Sequence, residues 1–368
     1  MKRILIAPNS FKECSYSVDA AIVIKESIER LNREADPVLF PVSDGGDGFL
    51  KVIKFHYQTD TVYFRLNSFF DNSSFDCPAE YSAEMRTVDI ESAKVIGLNL
   101  IPPSKRNPLN YNSAPLGDIL RQINSSGLKV EKAVIGIGGT GVNDLGIGML
   151  SQFGLKLLDR KGKELNPVPA EFLNAAEIKL PEKDLSFKIE IVLDVKNPLL
   201  GPAGAAAIFA PQKGADSNAV EIMERGFINI LNLLKVAPEL RESLSGAGGG
   251  IAAAFQLFFG SNAVTSNEFI LNRLKLNKTG EFDIAITGEG RLDEQSMMNK
   301  GGKVIYDYCL GRNIPVVFIC GQNKLNRSMK LLDIIQLKDY FSSIEESIIN
   351  FSAGIEKACG EIDNKYLK

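Results

Sequence analysis

The stretch FDIAITGEGRLD (282–293) decides the fold: a short apolar run, FDIAIT, stops at a glycine-framed polar segment carrying Glu289, Arg291 and Asp293. A run of this length bounded by glycine fits a buried strand better than a helix, which needs about ten residues or more. The pattern recurs along the chain. Ile4 to Pro8 is apolar and leads into NSFK, PVLFPV (37–42) ends at SDGGDG (43–48), and IPVVFICG (314–321) follows a helical stretch. A helical periodicity runs from Ser17 to about Leu31. Short apolar strands alternating with helices predict an α/β fold, with a parallel sheet covered on both faces. Polar and glycine residues then collect at the carboxyl ends of the strands, where open α/β sheets place their ligands.

From about residue 61 the pattern changes. TVYFRLNSFFDNSSFDCPAEYSAEMRTVDIES (61–92) alternates apolar and polar residues around a turn-forming DNSS, which predicts an antiparallel meander. KAVIGIGG (132–139), a helical NDLGIGMLSQFG (143–154) and EIVLDV (190–195) follow. The expected organisation is a parallel-sheet domain of residues 1–60 and 282–368, split by an inserted α/β domain over 61–281.

Composition removes several function classes. The 368 residues are 45% hydrophobic and 24% charged, the balance of a soluble globular chain. No charge-free apolar stretch is long enough to span a bilayer, and the apolar run after MKR is too short for a signal peptide, so a cytoplasmic protein is expected. A net charge of −3 with scattered basic residues argues against nucleic-acid binding. Five cysteines without a CxxC spacing read as reduced thiols. A single histidine, His56, in a helical pattern, makes His-based zinc sites, Ser-His-Asp triads and histidine bases improbable, and leaves acid–base work to carboxylates or lysines.

Several motifs can carry that chemistry. SDGGDG places Asp44 and Asp47 around paired glycines, an arrangement suited to Mg²⁺ or to a substrate hydroxyl, or simply to a solvated turn. GIGGTG (136–141) matches G-x-G-x-x-G after a strand, so the backbone around Gly138 and Gly139 is a candidate phosphate cradle, with Asn143 and Asp144 following as caps or ligands. The same loop, with Asp159 at the end of LKLLD, also fits a nicotinamide-dependent oxidoreductase. LDVKNPLLGPAGAAAIFAPQKGA (193–215) sets Asp194 and Asn197 against a small polar substrate or metal-bound water, and Gln212 and Lys213 against an acidic group or phosphate. SGAGGGIAAAF (245–255) offers the backbone of Gly248 and Gly249 to an anion. TGEGRLDEQS (287–296) mixes the cation Arg291 with the carboxylates Glu289 and Asp293, and Lys12 after Asn9 and Ser10 is a further cation at a strand end. Glycine-rich loops and acids without a Walker A pattern point to phosphoryl transfer to a small molecule outside the P-loop class.

In order along the chain, APNSFK, VSDGGDG, IGIGGTGVNDLGIGM, LDVKNPLLGPAGAAAIFAPQKGA, GAGGGIAAAF and ITGEGRLDEQS resemble the successive signature segments of the type-1 glycerate kinase family. The resemblance implies a Rossmann- or flavodoxin-like domain and a second α/β domain resembling a restriction-endonuclease fold, with the site in the cleft between them. It implies ATP- and Mg²⁺-dependent phosphorylation of D-glycerate to a phosphoglycerate. The candidates for orienting Mg²⁺ or taking the hydroxyl proton are then Asp44, Asp194 and Asp293, with Mg²⁺ assigned to Asp44 and Asp194. Substrate or phosphate contacts are expected from Ser10, Lys12, Asn143, Asn197, Lys213, Glu289 and Arg291, and from the backbone of Gly138, Gly139, Gly248 and Gly249. The partners implied are glycerate and a nucleotide, and a homodimer is compatible with them. This chain departs from the family pattern at Asn9, where aspartate is usual, at Phe49, and at Asn112–Gly117, where T-S-x-G-T-G is usual. Those departures leave open a catalytically altered relative that binds a small acid without turning it over.

Overall fold

The computed structural model describes residues 1–368 apart from 13, 183–184, 194–196, 295, 299 and 326. In chain order the strands are β1 (Arg3–Ile6), β2 (Asp36–Leu39), β3 (Asp60–Asn67), β4 (Ser74–Ser82), β5 (Thr87–Glu91), β6 (Lys132–Gly136), β7 (Lys156–Leu158), β8 (Glu164–Leu165), β9 (Glu177–Lys179), β10 (Lys188–Leu193), β11 (Asn262–Thr265), β12 (Ile284–Leu292), β13 (Val316–Asn323) and β14 (Leu332–Gln336). The chain divides into two compact units, Met1–Tyr57 with Thr265–Lys368, and Gln58–Val264.

The first unit is built on a five-stranded sheet in the order β14-β13-β12-β1-β2, and every neighbouring pair is parallel. Within the unit this is the 2-1-3-4-5 order of flavodoxin-like folds. The helix Ser17–Leu31 leaves β1 toward one edge and the helix Gly301–Leu310 leaves β12 toward the other, so the connections diverge between β1 and β12. A crevice opens at such a point, just beyond the carboxyl ends of the two strands.

Burial explains why these segments take these forms. Ile4, Leu5 and Ile6 of β1 and Ala285 and Ile286 of β12 are fully buried, as strands covered on both faces must be. Helix Ser17–Leu31 buries Ala20, Ala21, Ile24, Ser27 and Ile28, one helical stripe, against Ile355, Ala358, Cys359 and Ile362 of the helix Phe351–Ile362. His56 lies at the end of the helix Phe49–His56, where Nε2 is 2.9 Å from the Pro41 carbonyl and burial lowers the imidazole pKa; the role is structural.

Two boundaries differ from the sequence reading. The strand FDIAIT does not stop at Thr287. It continues through GEGRL to Leu292, paired with β13 as far as Asn323. The glycines permit this because a Cβ on Gly288 would stand 2.1 Å from the Ile319 carbonyl oxygen and 2.9 Å from the Phe11 ring. The return to the first unit, expected at 282, comes at Thr265. There Thr265 and Glu268 form a reciprocal capping box. The helical turns that follow bring Phe269 to 5.4 Å from Phe49, ring to ring, which packs the segment against the helix Phe49–His56 and gives Phe49 a packing role.

The second unit holds a six-stranded sheet, β11-β10-β6-β5-β4-β3. β3, β4 and β5 form the antiparallel meander that the alternation of 61–92 predicts, while β5, β6 and β10 are parallel. Its core gathers Ile135, Ile191, Leu116, Ile119, Phe227, Ile251 and Phe255 from the sheet and the helices Ala114–Ser125, Ser217–Leu233 and Ile251–Phe259. A separate small sheet, β8-β7-β9, is antiparallel. Among the described residues no helix is long and apolar enough to cross a membrane.

Candidate active site

In the first unit three extended segments run side by side past the ends of their strands. The Ala7 N–H donates to the Ile286 carbonyl and the Asn9 N–H to the Gly288 carbonyl, both at 2.8 Å. On the other side the Phe40 N–H donates to Ile6 and the Val42 N–H to Pro8. This backbone ladder delivers Asn9, Asp44 and Glu289 to the crevice between β1 and β12.

The side chains there are bonded in a definite pattern. Asn9 Nδ2 donates to Asp44 Oδ2 at 2.9 Å, and the other Asp44 oxygen accepts the Gly46 N–H. Ser10 Oγ donates to the Asp47 carbonyl, and its N–H to Asn9 Oδ1. An aspartate at position 9 would set two carboxylates against each other; asparagine instead donates a hydrogen bond, so the departure at Asn9 removes a charge from the site without unfastening Asp44. Lys12 is exposed at the tip of the Phe11–Ser15 turn, its backbone nitrogen 3.1 Å from where a Cβ on Gly290 would stand. The glycines of GEG therefore let this loop close onto β12.

Thr287 and Glu289 alternate onto the same face of β12. Thr287 Oγ1 donates to the Ala7 carbonyl, and Gly302 of the helix Gly301–Leu310 packs nearby. Glu289 is buried, with Lys300 Nζ 3.8 Å from Oε2. Burial pushes its carboxyl up to about 7; Lys300 and Ser296 oppose that rise, and the charges of Asp44 and Asp293 add to it. Asp293 Oδ1 accepts from the Ser296 N–H and hydroxyl, while Arg291 Nε lies 3.2 Å from Asp293 Oδ2 with its side chain 64% exposed. Lys300 and Ser296 are not among the site residues expected from the sequence, although Lys300 stands out there as a lysine immediately before the paired glycines that open a helix.

The second unit uses its polar motifs differently. Lys213, expected to meet phosphate, is 2% exposed, and its ammonium donates to Val142 O at 2.5 Å, Thr140 Oγ1 at 3.3 Å and Asn143 Oδ1 at 3.4 Å. Burial pushes its pKa down to about 7, against the pull of Asp144. Asn143 is fully buried and Gly249 is buried against it, so the Asn143 side chain and Gly249 are packed inside the unit. Asp144, raised by burial, accepts from the Ser113 N–H and hydroxyl and from the Gly146 and Gly148 N–H groups. The unusual segment 112–117 is thereby spent on packing: Ser113 Oγ also accepts the Met149 N–H, and Gly117 has the Met149 carbonyl where a Cβ would go. Gly138, Gly139 and Gly248 keep accessible backbone and remain the anion candidates of this unit. Asn197 donates Nδ2 to the Ala203 carbonyl and braces its own loop. Asp194 lies outside the described residues.

The structure gives the oxidoreductase reading no support. Asp159 accepts from the Lys161 and Lys163 N–H groups and closes the β7–β8 hairpin, in a sheet separate from the strand that precedes GIGGTG. The helix after that loop starts only at Ile147 and is five residues long. Neither matches a dinucleotide-binding βαβ unit. The thiols of Cys77, Cys309, Cys320 and Cys359 are pushed up to about 12 by burial and offer no nucleophile at neutral pH.

The carboxylates of Asp44, Glu289 and Asp293 would offer oxygen ligands to a hard divalent cation. Among the described residues no group of three or more His, Cys, Asp and Glu side chains converges as a metal cage. Mg²⁺ is commonly held by one or two carboxylates together with substrate phosphates, and Asp44 fits that requirement.

Comparison with known proteins agrees with these motifs. The Glycerate kinase family matches residues 4–365. A glycerate kinase of Haemophilus influenzae is 32% identical over 87% of this chain and 85% of its own length. One from Neisseria meningitidis is 31% identical over 94% and 92%, and the glycerate 2-kinase of Escherichia coli 30% over 87% and 85%. A crystal structure assigned as a glycerate kinase 2 from Salmonella typhimurium LT2 superposes with a TM-score of 0.75 at 26% identity, covering all of both chains. With its parallel sheet, its acidic switch-point crevice and a match over almost its whole length, this chain belongs to the glycerate kinase family, whose members are enzymes.

Proposed function

We propose that this kinase transfers the γ-phosphoryl group of ATP to a hydroxyl of D-glycerate, giving a phosphoglycerate, with Mg²⁺ as the accompanying cation. The observation that carries the reading is the convergence of Asp44, Glu289 and Asp293 with Lys12, Arg291 and Lys300 at one switch point, in a chain of this family. Phosphoryl transfer depends mostly on positioning and charge neutralisation, which that set of residues can supply. Asp44, fixed by Asn9 and Gly46, would hold Mg²⁺. Bound there, the cation would neutralise the nucleotide phosphates. Lys12 and Arg291 are exposed and can meet an incoming carboxylate or phosphate. Asp293, locked by Ser296, orients Arg291. In the second unit the accessible backbone of Gly138, Gly139 and Gly248 is the candidate anion surface.

A coupled ADP-release assay with and without D-glycerate and Mg²⁺ tests the reading. Expected is release that requires both. No glycerate-dependent release would refute it. Phosphorus NMR of the product then assigns the 2- or 3-phosphate.

A further inference from the structure

Glu289 differs from the other acids of the crevice in holding an acceptor that the protein does not use. The residue is 5% exposed, and Oε1 is buried without a hydrogen-bond partner among the described residues. Asp44 and Asp293, by contrast, are satisfied by Asn9 and Gly46 and by Ser296. A desolvated carboxylate oxygen without a donor is costly unless something supplies one. Phosphate is a poor candidate, because Asp44 and Asp293 already set negative charge against this group. A hydroxyl is a good one: it donates a hydrogen bond and brings no charge.

We propose that Glu289 is a catalytic residue that receives the hydroxyl of the acceptor acid at Oε1 and takes its proton, while Lys300 pairs with the acid's carboxylate. The proposal rests on the glycerate kinase reading and names the residues that select a hydroxy acid within it. In the step, the substrate O–H bond breaks as its oxygen forms a bond to the γ-phosphorus. The bond from that phosphorus to the bridging oxygen breaks, its electron pair leaves with ADP, and the proton passes to Glu289 and then to solvent.

The groups facing Glu289 are consistent with this role. Lys300 comes from the start of the helix Gly301–Leu310, Asp44 from the loop after β2 and Asp293 from the end of β12. Cys320 is its register partner on β13, and burial keeps that thiol protonated at neutral pH. A carboxyl that titrates near neutrality is matched to proton transfer at working pH.

The test is Glu289→Gln, which keeps the shape and removes the basicity. Expected is a fall in kcat of roughly 10²–10⁴-fold. Glycerate and ATP binding by calorimetry should stay within about threefold, a difference below ~0.7 kcal/mol, and the melting temperature should be no lower than in the unchanged enzyme. Glu289→Asp should recover part of kcat, and Lys300→Met should raise KM for glycerate more than it lowers kcat. A kcat within about threefold of the unchanged enzyme in Glu289→Gln, where a positioned base is worth far more, would overturn the proposal and leave the kinase reading intact. An unchanged enzyme without glycerate-dependent ADP release would overturn both. Should the Gln variant not fold, the pH profile of the unchanged enzyme decides: kcat/KM must fall below about pH 7, and a flat profile from pH 5.5 to 8 refutes the assignment.

Discussion

The two units treat similar motifs in opposite ways. In the parallel-sheet unit the polar residues after the strands keep exposed or unused groups: Lys12 and Arg291 reach solvent, and Glu289 Oε1 has no partner among the described residues. In the other unit the polar residues of TGVND and PQKGA consume one another, with Lys213, Thr140, Asn143, Asp144 and Ser113 forming a buried network beneath the glycine loops. A motif's composition therefore does not say whether its side chains meet a ligand or hold the loop that does. Burial decides, because a charged group taken out of water must find protein partners.

The contrast can be broken experimentally. Lys213→Met should have the largest effect, destabilising the enzyme by about 3–5 kcal/mol in chemical denaturation, since it strips donors from a buried network around Asp144. A loss under ~1 kcal/mol would mean the network is not the support described. Asp44→Asn should do the reverse, lowering kcat/KM by about 10²-fold or more with little change in stability; retained turnover would remove Asp44 from the chemistry. Gly249→Ala should cost about 2–3 kcal/mol, because φ is +71° and the new Cβ would stand 2.5 Å from the Val142 carbonyl oxygen. A melting curve that matches the unchanged enzyme would show that the two glycine loops are not in contact.

The buried carboxyl of Glu289 makes a pH prediction. Its folded pKa, about 7, lies above the unfolded value near 4.5, so the native state holds the extra proton. The stability this contributes is fully present below about pH 4.5 and is lost as pH rises through 7, on the order of 3 kcal/mol over the window. Glu289→Gln should flatten that part of the stability–pH curve, and an identical slope in both proteins would refute the burial argument. The smallest effect is expected at Arg291, whose exposed pairing with Asp293 is worth under ~1 kcal/mol. Arg291→Ala should leave the melting temperature nearly unchanged and raise KM by a few fold.

Much of the architecture was legible in the chain. The runs at 4–8, 37–42, 282–287 and 314–321 are all strands or flank them; those of β1, β12 and β13 are apolar because these inner strands are buried on both faces, while β2, at the sheet edge, is only partly buried. The alternation of 61–92 matches the meander for the complementary reason in β3, which has one wet and one dry face, whereas β5 is buried throughout, Asp89 and Glu91 included. The extension of β12 through GEGRL was not legible. Glycine usually punctuates a strand, and here it admits the close approach of Phe11 and the Ile319 carbonyl.

The sequence by itself determined the family, the α/β class and the absence of histidine chemistry, since these follow from residue types and their order. Only the tertiary structure decided which polar residues are available. Lys213 and Lys12 read alike along the chain, yet one is 2% exposed and bonded to three groups while the other stands at an exposed turn. Glu289 read like any strand-end acid until β1, β2 and the helix Gly301–Leu310 enclosed it. Desolvation depends on what packs around a group from distant parts of the chain, and no local pattern records that.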